Sequence, residues 1–142
     1  MVACYADLCE FYFGGGLWLP YSRTSSYRES STSVVKYEDD RILLIGGYFS
    51  NSTEWISGDG SPSQPGPFII RHGFAHCTIQ VSPDLIVVTG GGDVIYETYD
   101  FVTTYQLSGN GNETPLTPMN QGRNDHACGV YQDAGGQQVK RL

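Results

Sequence analysis

The chain of 142 residues has the length of one ordinary domain, and its 39% hydrophobic and 13% aromatic residues are enough to form a buried core. Only 16% of the residues are charged and 18 are glycine, which disfavours long surface helices. The net charge of −7 comes without a cluster of lysine or arginine, so we expect neither nucleic acid nor an anionic membrane surface as a partner. No apolar run approaches the roughly 20 residues of a membrane-spanning helix, and residues 1–10 lack the pattern of a secretion signal.

Four strands are predicted in order in the first half of the chain. Residues 33–37 have a short strand pattern, a polar turn follows, and the unbroken apolar run 42–45 ends in the pair Gly46–Gly47. A third strand is expected at 53–56, where β-branched and aromatic residues predominate. The fourth, 67–70, begins with a proline, which cannot donate to a sheet ladder. That proline predicts a strand at the outer edge of a sheet.

The same order of elements recurs in the second half of the chain. Residues 77–81 repeat the opening strand, 85–88 repeat the apolar run, and Gly90–Gly91 stand 44 positions after the first glycine pair. The third strand is expected at 102–107 and the proline-bearing fourth at 115–119. Apolar runs that do not alternate indicate strands that are covered on both faces. Four short strands repeated at this period, with the glycine-pair strand innermost, indicate a β-propeller blade.

Two partial units flank these repeats. Residues 17–20, which include Trp18 and a proline, match the fourth strand of an earlier unit, and residues 126–131 match the opening strand of a later one. The glycine pair expected near position 140 does not follow. Because closed propellers typically have four to eight blades, we expect a piece of a longer propeller or an odd gene product, and not a self-sufficient ring. The predicted divisions are an outer strand and connector at 1–27, two repeats at 28–70 and 71–122, and the first strand of a truncated repeat at 123–142.

The repeated pattern resembles the kelch repeat family. The resemblance rests on the apolar run with its glycine pair, the aromatic third strand, and the arginine and histidine that lead into the opening strand. The residues that match this signature are Gly46, Gly47, Gly90, Gly91, Arg71, His76, Arg123 and His126. It implies an all-β, kelch-type β-propeller fragment with four-stranded antiparallel blades. It also implies a non-catalytic module that binds another protein through its blade loops, and further kelch blades in a longer chain.

Two other functions are compatible with the resemblance. One is a fragment of an extracellular adhesion or receptor-like kelch protein. The other is a relic of a galactose-oxidase-like enzyme domain, since some kelch-like propellers are the central domains of copper-radical oxidases. That chemistry needs a tyrosine–cysteine crosslink and paired histidine ligands, and the sequence offers no convincing set. We therefore expect no catalytic residue, no bound metal and no cofactor.

The cysteines and two glycosylation sequons bear on the cellular compartment. The cysteines are Cys4, Cys9, Cys77 and Cys128. They allow three disulfide pairings and match no zinc spacing. Cys77 and Cys128 are expected to be small buried apolar residues, and the sequence does not decide whether the two N-terminal cysteines pair. The sequons begin at Asn51 and Asn112 and would suit an oxidising compartment, so cytoplasmic and extracellular locations both stay open.

The histidines and the loops supply the remaining candidate residues. His76 and His126 occupy equivalent repeat positions, which predicts a structural hydrogen-bonding role. His72 and His76 in an extended segment would be roughly 13 Å apart, too far to share one metal ion. The loops 50–66 and 92–100 are the predicted binding surface, because propeller loops carry recognition on a rigid frame. Candidate anchors are Tyr48, Phe49, Trp55, Tyr96 and Tyr99, although the pattern favours packing on a neighbouring blade for the loop tyrosines and phenylalanine.

Overall fold

The structure, a computed structural model, describes residues 2–12, 18–28, 32–37, 41–48, 50–59, 61–93, 95, 97–109, 111–132 and 138–139. Within these ranges the chain forms strands and no helix. The strands are β1 (Val2–Tyr12), β2 (Trp18–Arg28), β3 (Ser33–Tyr37), β4 (Arg41–Ile45), β5 (Ser52–Ser57), β6 (Gln64–Ile69), β7 (Phe74–Ser82), β8 (Leu85–Gly92), β9 (Val102–Gln106), β10 (Glu113–Pro115), β11 (Tyr131–Gln132) and β12 (Gln138–Val139).

Two antiparallel sheets of four strands each form the body of the fold. The first sheet has the order β3-β4-β5-β6 and the second has the order β7-β8-β9-β10, so each is a simple meander of consecutive strands. The expected all-β class and the two four-stranded antiparallel units are confirmed. Two further antiparallel pairs, β1-β2 and β11-β12, lie outside these sheets.

The ladder registers of the two sheets are equivalent. Leu44 in β4 pairs with Val34 and Glu54. Val88, which lies 44 positions later in β8, pairs with Thr78 and Thr103. The offset that relates the glycine pairs therefore also relates the central strands residue by residue, so the sequence repeat is a repeat of structure.

The strand that ends in the glycine pair was predicted to be the innermost strand of each blade. That prediction was wrong, because it is the second strand of each sheet and has a neighbouring strand on both sides. The edge strands are β3 and β7 on one side and β6 and β10 on the other. The apolar run is buried because β4 and β8 have ladder partners on both sides and are covered on both faces. Pro67 and Pro115 lie in the edge strands β6 and β10 as expected, because an edge strand tolerates the missing N–H. Pro65 also lies in β6, within the predicted loop 50–66, and Pro118 follows β10 and is not part of it.

The core lies between the facing sides of the two sheets. Its buried members are Val35, Leu43, Ile45, Ile70, Ile86, Val88, Tyr105 and Leu107. Phe68 stacks on Tyr105 with ring centroids 4.5 Å apart, which joins the outer strand of the first sheet to the second sheet. On the opposite edge, Gln80 Nε2 donates to Lys36 O at 3.0 Å and links β7 to β3. Each large apolar side chain in such a core contributes about 1.5–3 kcal/mol through burial.

The segment that follows β10 departs from the strand pattern. The expected opening strand at 126–131 contains strand structure only at Tyr131, where β11 begins. Residues 126–130 pair with no strand in the described part of the chain, although a disulfide and a histidine hold them against the second sheet. An extended segment without a ladder partner does not become a strand, which accounts for the difference.

Candidate functional site

The two sheets present two different ends. At one end the chain leaves β4 and β8 through the glycine pairs and continues towards β5 and β9. We call this the glycine-pair end. At the other end, the turn 83–84 connects β7 to β8, the chain passes from β9 to β10, and Leu107 N donates to Asp84 O at 2.9 Å. We call this the turn end.

A groove of about 410 Å³ opens between the sheets at the glycine-pair end. It is lined by Gly47, Tyr48, Ser50 and Asn51 from the first sheet and by Gly73, Phe74, Gly92 and Asp93 from the second. The Tyr48 and Phe74 rings contact each other across it, with centroids 4.8 Å apart. The intersheet groove is thus built from both repeats and includes the first part of each predicted binding loop.

The first glycine of each pair lies under a histidine ring. Gly46 has φ +64°, and a Cβ built on it would lie 2.6 Å from His76 Cε1. Gly90 has φ +61°, and a Cβ there would lie 2.5 Å from His126 Cε1. Any side chain at these positions would collide with the ring, and the positive φ itself favours glycine. Four of the predicted signature residues therefore meet in two equivalent contacts.

The two histidines differ in their hydrogen bonds. His76 Nδ1 lies 3.2 Å from Gly73 O, and its Nε2 is buried without a hydrogen-bond partner. His126 Nε2 lies 2.8 Å from Thr89 Oγ1. The position equivalent to Thr89 in the first sheet is Ile45, which has no hydroxyl to offer. The missing partner of His76 therefore follows directly from one sequence difference between the repeats.

Burial keeps these histidines uncharged at neutral pH. Burial, reinforced by repulsion from His72 and weakly from His126, lowers the pKa of His76 to about 4 against the opposing effect of the Gly73 carbonyl. The pKa of His126 is also lowered, first by burial and then by the positive charge of Arg123, while Asp125 opposes the shift. The rings therefore act as neutral packing and hydrogen-bonding groups.

His72 is a structural residue that sequence reasoning considered only as a metal ligand. It is fully buried, its Nδ1 donates to Gly90 O at 2.8 Å, and its Nε2 accepts from the Thr103 hydroxyl at 3.1 Å. Burial lowers its pKa, opposed by the bond to the Gly90 carbonyl. It thus connects β9 to the glycine pair of the second sheet. Its partners lie 18 and 31 positions away, so no local pattern could identify them.

A second pair of equivalent residues has unusual backbone geometry. Ala75 has φ 56° and Asp125 has φ 48°, and each immediately precedes one of the repeat histidines. Asp125 N donates to Ala75 O at 3.0 Å, which joins the two sites directly. A positive φ in a residue other than glycine costs of order 1 kcal/mol or more. The same strained geometry therefore places the histidine ring in both repeats.

The signature arginines make different contacts. Arg71 Nε lies 3.0 Å from Glu113 Oε1 on β10. Arg123 acts through its backbone, since its carbonyl accepts from Gly91 N at 2.9 Å and its N–H donates to Tyr99 O at 3.1 Å. Arg71 also lines a second groove of about 320 Å³ at the outer side of the second sheet, together with Phe101, Leu116 and the neighbouring prolines.

The candidate aromatic anchors do not form one cluster. Tyr48 lines the intersheet groove, whereas Tyr99 stacks on Phe101 with centroids 5.0 Å apart. Burial and then the Asp93 carboxylate raise the pKa of Tyr99. Trp55 lies in β5, packs against the core and contacts Tyr37 at 5.0 Å between ring centroids. The remaining candidates lie outside the described residues, namely Phe49 and Tyr96.

Cys77 and Cys128 form a disulfide, so their expected role as small apolar residues was wrong. Cys77 pairs with Thr89 in the ladder between β7 and β8, and Thr89 is the residue that His126 contacts. The contact that positions His126 therefore also brings Cys128 beside Cys77, with Cα atoms 6.0 Å apart. This relation depends on packing between segments 51 positions apart, which residue type alone does not reveal. Pairing of the N-terminal cysteines, Cys4 and Cys9, lies outside the described side chains.

No protein-family model matches this chain, and comparison with curated proteins finds no match either. Across the described ranges no helix has the length and apolar character needed to cross a membrane. The same ranges contain no group of three or more histidine, cysteine, aspartate or glutamate side chains suited to hold a metal ion.

Proposed function

We propose that this chain is a non-catalytic protein-interaction module, two kelch-type propeller blades that bind another protein at the glycine-pair end. The observation that carries this proposal is the intersheet groove, which both repeats build from equivalent loops. The repeated histidine–glycine contact supports the comparison with propeller blades, because His76 packs the second sheet on the first and His126 packs the segment after β10 on the second sheet in the same way.

The chemistry of the intersheet groove suits a protein ligand. Tyr48 and Phe74 offer aromatic surface, the residue type that most often anchors protein interfaces. Asn51 adds an exposed amide beside them. Asp93 adds a carboxylate that is held in place by the backbone N–H groups of Ile95 and Glu97, at 3.0 and 3.2 Å. Together with the net charge of −7, this carboxylate favours a partner segment that carries basic residues.

Site-specific photo-crosslinking tests the proposal. A photoreactive benzoylphenylalanine replaces Ser50 at the groove in one variant and Ser82 at the turn end in the matched control. We expect the Ser50 variant to capture a protein that the Ser82 variant does not capture. Tyr48→Ala should weaken that capture at least about tenfold, the usual effect of removing an aromatic anchor. Equal capture at the two ends, or no capture at the groove, would contradict the proposal.

The disulfide favours one of the other candidates, a fragment of an extracellular adhesion or receptor-like kelch protein. Disulfides form and persist in oxidising compartments and are rare in the cytosol. The bond also uses the Cys77 and Cys128 thiols, so neither is available for the tyrosine–cysteine crosslink of a copper-radical oxidase. Alkylation of the protein taken directly from its cells tests this candidate. Protected Cys77 and Cys128 would support an oxidising compartment, whereas alkylation of both would count against it.

A further inference from the structure

The two sequons lie at opposite ends of the sheets. The first begins at Asn51 at the glycine-pair end, and the second begins at Asn112 at the turn end. Both asparagines are exposed. Their surroundings differ. This difference decides which asparagine can carry a glycan without disturbing the fold or filling the intersheet groove.

The sequon of Asn51 is built into the first sheet. Its hydroxyl residue, Thr53, is buried in β5, and Oγ1 donates to Phe68 O at 2.6 Å. The Asn51 carbonyl accepts from Ile70 N at 2.8 Å, and the residue lines the intersheet groove. A glycan on Asn51 would fill the groove.

The sequon of Asn112 is open to solvent. Asn112 follows Gly111, whose φ of +66° turns the chain into β10. Its backbone carbonyl accepts from Gln106 N at 3.0 Å, which fixes the backbone and leaves the side-chain amide exposed. Nδ2 of Asn112 donates to Gln106 Oε1 at 3.5 Å, the limit of a hydrogen bond.

The residues after Asn112 keep the sequon accessible. Glu113 faces Arg71, with Nε and Oε1 3.0 Å apart. Because successive side chains of a strand point to opposite faces, Thr114 lies on the other face, where it is exposed. Among the strands that the structure describes, β10 is an edge of the second sheet and none pairs with its outer side.

The disulfide between Cys77 and Cys128 supplies an independent argument. A bond that closes a loop across 51 positions indicates passage through an oxidising compartment. In eukaryotic cells, Asn-X-Ser/Thr acceptors are glycosylated on the same secretory route.

We infer that Asn112 is an N-glycosylation site at the turn end, on the side of the molecule away from the intersheet groove. The donor is an oligosaccharide linked to a lipid pyrophosphate. A bond forms between Nδ2 and C1 of the first sugar, the bond between C1 and the pyrophosphate oxygen breaks, and the amide loses one proton. No oxidation or reduction takes place. A glycan at this position leaves the groove open.

Expression of the full chain behind a cleavable signal peptide in eukaryotic cells tests the inference. The secreted protein is measured by intact mass before and after treatment with peptide N-glycosidase. We expect one glycan to be lost and Asn112 to be converted to aspartate. Asn112→Gln and Thr114→Ala should abolish the modification, Thr114→Ser should restore it, and Asn51→Gln should leave it unchanged.

Variants that are not secreted are translated in the presence of microsomes. Glycosylation is then measured as a shift in gel mobility of the translated chain, which does not depend on export. A chain whose Cys77–Cys128 disulfide has formed and whose Asn112 is unmodified would overturn the inference. A glycan on Asn51 alone would overturn it as well.

Discussion

His126 shares a 2.8 Å hydrogen bond with Thr89, through Nε2 of the ring and the threonine hydroxyl. His76 occupies the equivalent position over the first sheet, but Ile45 stands where the hydroxyl would be, and the ring nitrogen is left without a partner. The bond between ring Nε2 and the central strand is therefore made in one repeat and missing in the other, while His126 Nδ1 is the ring nitrogen that is buried without a partner in the second repeat. A buried polar atom without a partner costs about 1–3 kcal/mol, so a hydroxyl placed beside His76 Nε2 should stabilise the first repeat.

Substitution of Ile45 tests this comparison between the repeats. The threonine of Ile45→Thr and the valine of Ile45→Val have nearly the same shape. When its hydroxyl is buried without a partner, a threonine variant usually has a free energy of unfolding about 1–3 kcal/mol lower than the valine variant. We expect the threonine variant to be at least as stable as the valine variant, because its hydroxyl reaches His76 Nε2. Chemical denaturation of both variants measures the difference. When His76→Phe is also present, the threonine variant should be less stable than the valine variant, because the hydroxyl has lost its partner. If His76→Phe left the stability difference between the two variants unchanged, the explanation would be refuted.

Alanine at Gly90 should destabilise the fold strongly. The new Cβ would meet both the Arg123 carbonyl and the His126 ring, in a residue with φ +61°. We expect a loss of at least about 2 kcal/mol in the free energy of unfolding. Gly109→Ala is the matched control, because Gly109 has φ +66° and nothing within 4 Å of its Cβ position. The control should lose only about 1 kcal/mol, and equal losses at both positions would contradict the packing argument.

Stability should fall as the pH is lowered from about 6.5 to about 4. The pKa of His76 is about 4 in the folded protein and near its ordinary value of 6.5 in the unfolded chain. Between these values the unfolded chain binds a proton that the folded protein does not, so acid favours unfolding. The effect of this group is about 3 kcal/mol at most. Urea denaturation at pH 7.5 and 4.5 measures it, and His76→Phe should reduce the difference; an unchanged difference would exclude His76 as its source.

Reduction of the disulfide should loosen the segment after β10. The bond between Cys77 and Cys128 spans 51 positions, and a loop of that length corresponds to about 4 kcal/mol in the chain-entropy model. We expect the Cys77→Ala, Cys128→Ala double variant to lose part of that stability. Hydrogen exchange should increase at residues 123–130 and change little in β4. Equal exchange in the oxidised and double-variant proteins would show that other contacts hold the segment.

The strands were predictable because their patterns are local. Residues 33–37 were expected as a strand and form β3 (Ser33–Tyr37), and the two apolar runs lie within β4 and β8. The proline-bearing strands were placed at the edges but too late in the chain, since β10 ends at Pro115, where residues 115–119 were expected. Alternation, turn residues and proline act over a few positions, so a single sequence suffices to read them.

The candidate site was only partly predictable. The repeat marked the histidines and the glycine pairs as equivalent positions, but it did not show that they contact each other. The role of His72, the positive φ of Ala75 and the disulfide depend on how the sheets and the final segment pack together. No pattern of residue types in the separate repeats contains that information.

An NMR measurement of contacts between ring and backbone protons tests the repeated packing most directly. The account requires nuclear Overhauser effects from the His76 ring Hε1 to the Gly46 Hα atoms and from the His126 ring Hε1 to the Gly90 Hα atoms, since each Cε1 lies over its glycine. Both effects are expected in the oxidised protein at neutral pH. Absence of the His76 effect while β7 was folded would show that this contact does not dock the two sheets, and absence of the His126 effect would show that the contact is not repeated at the segment after β10. In either case the proposed blade architecture would fail.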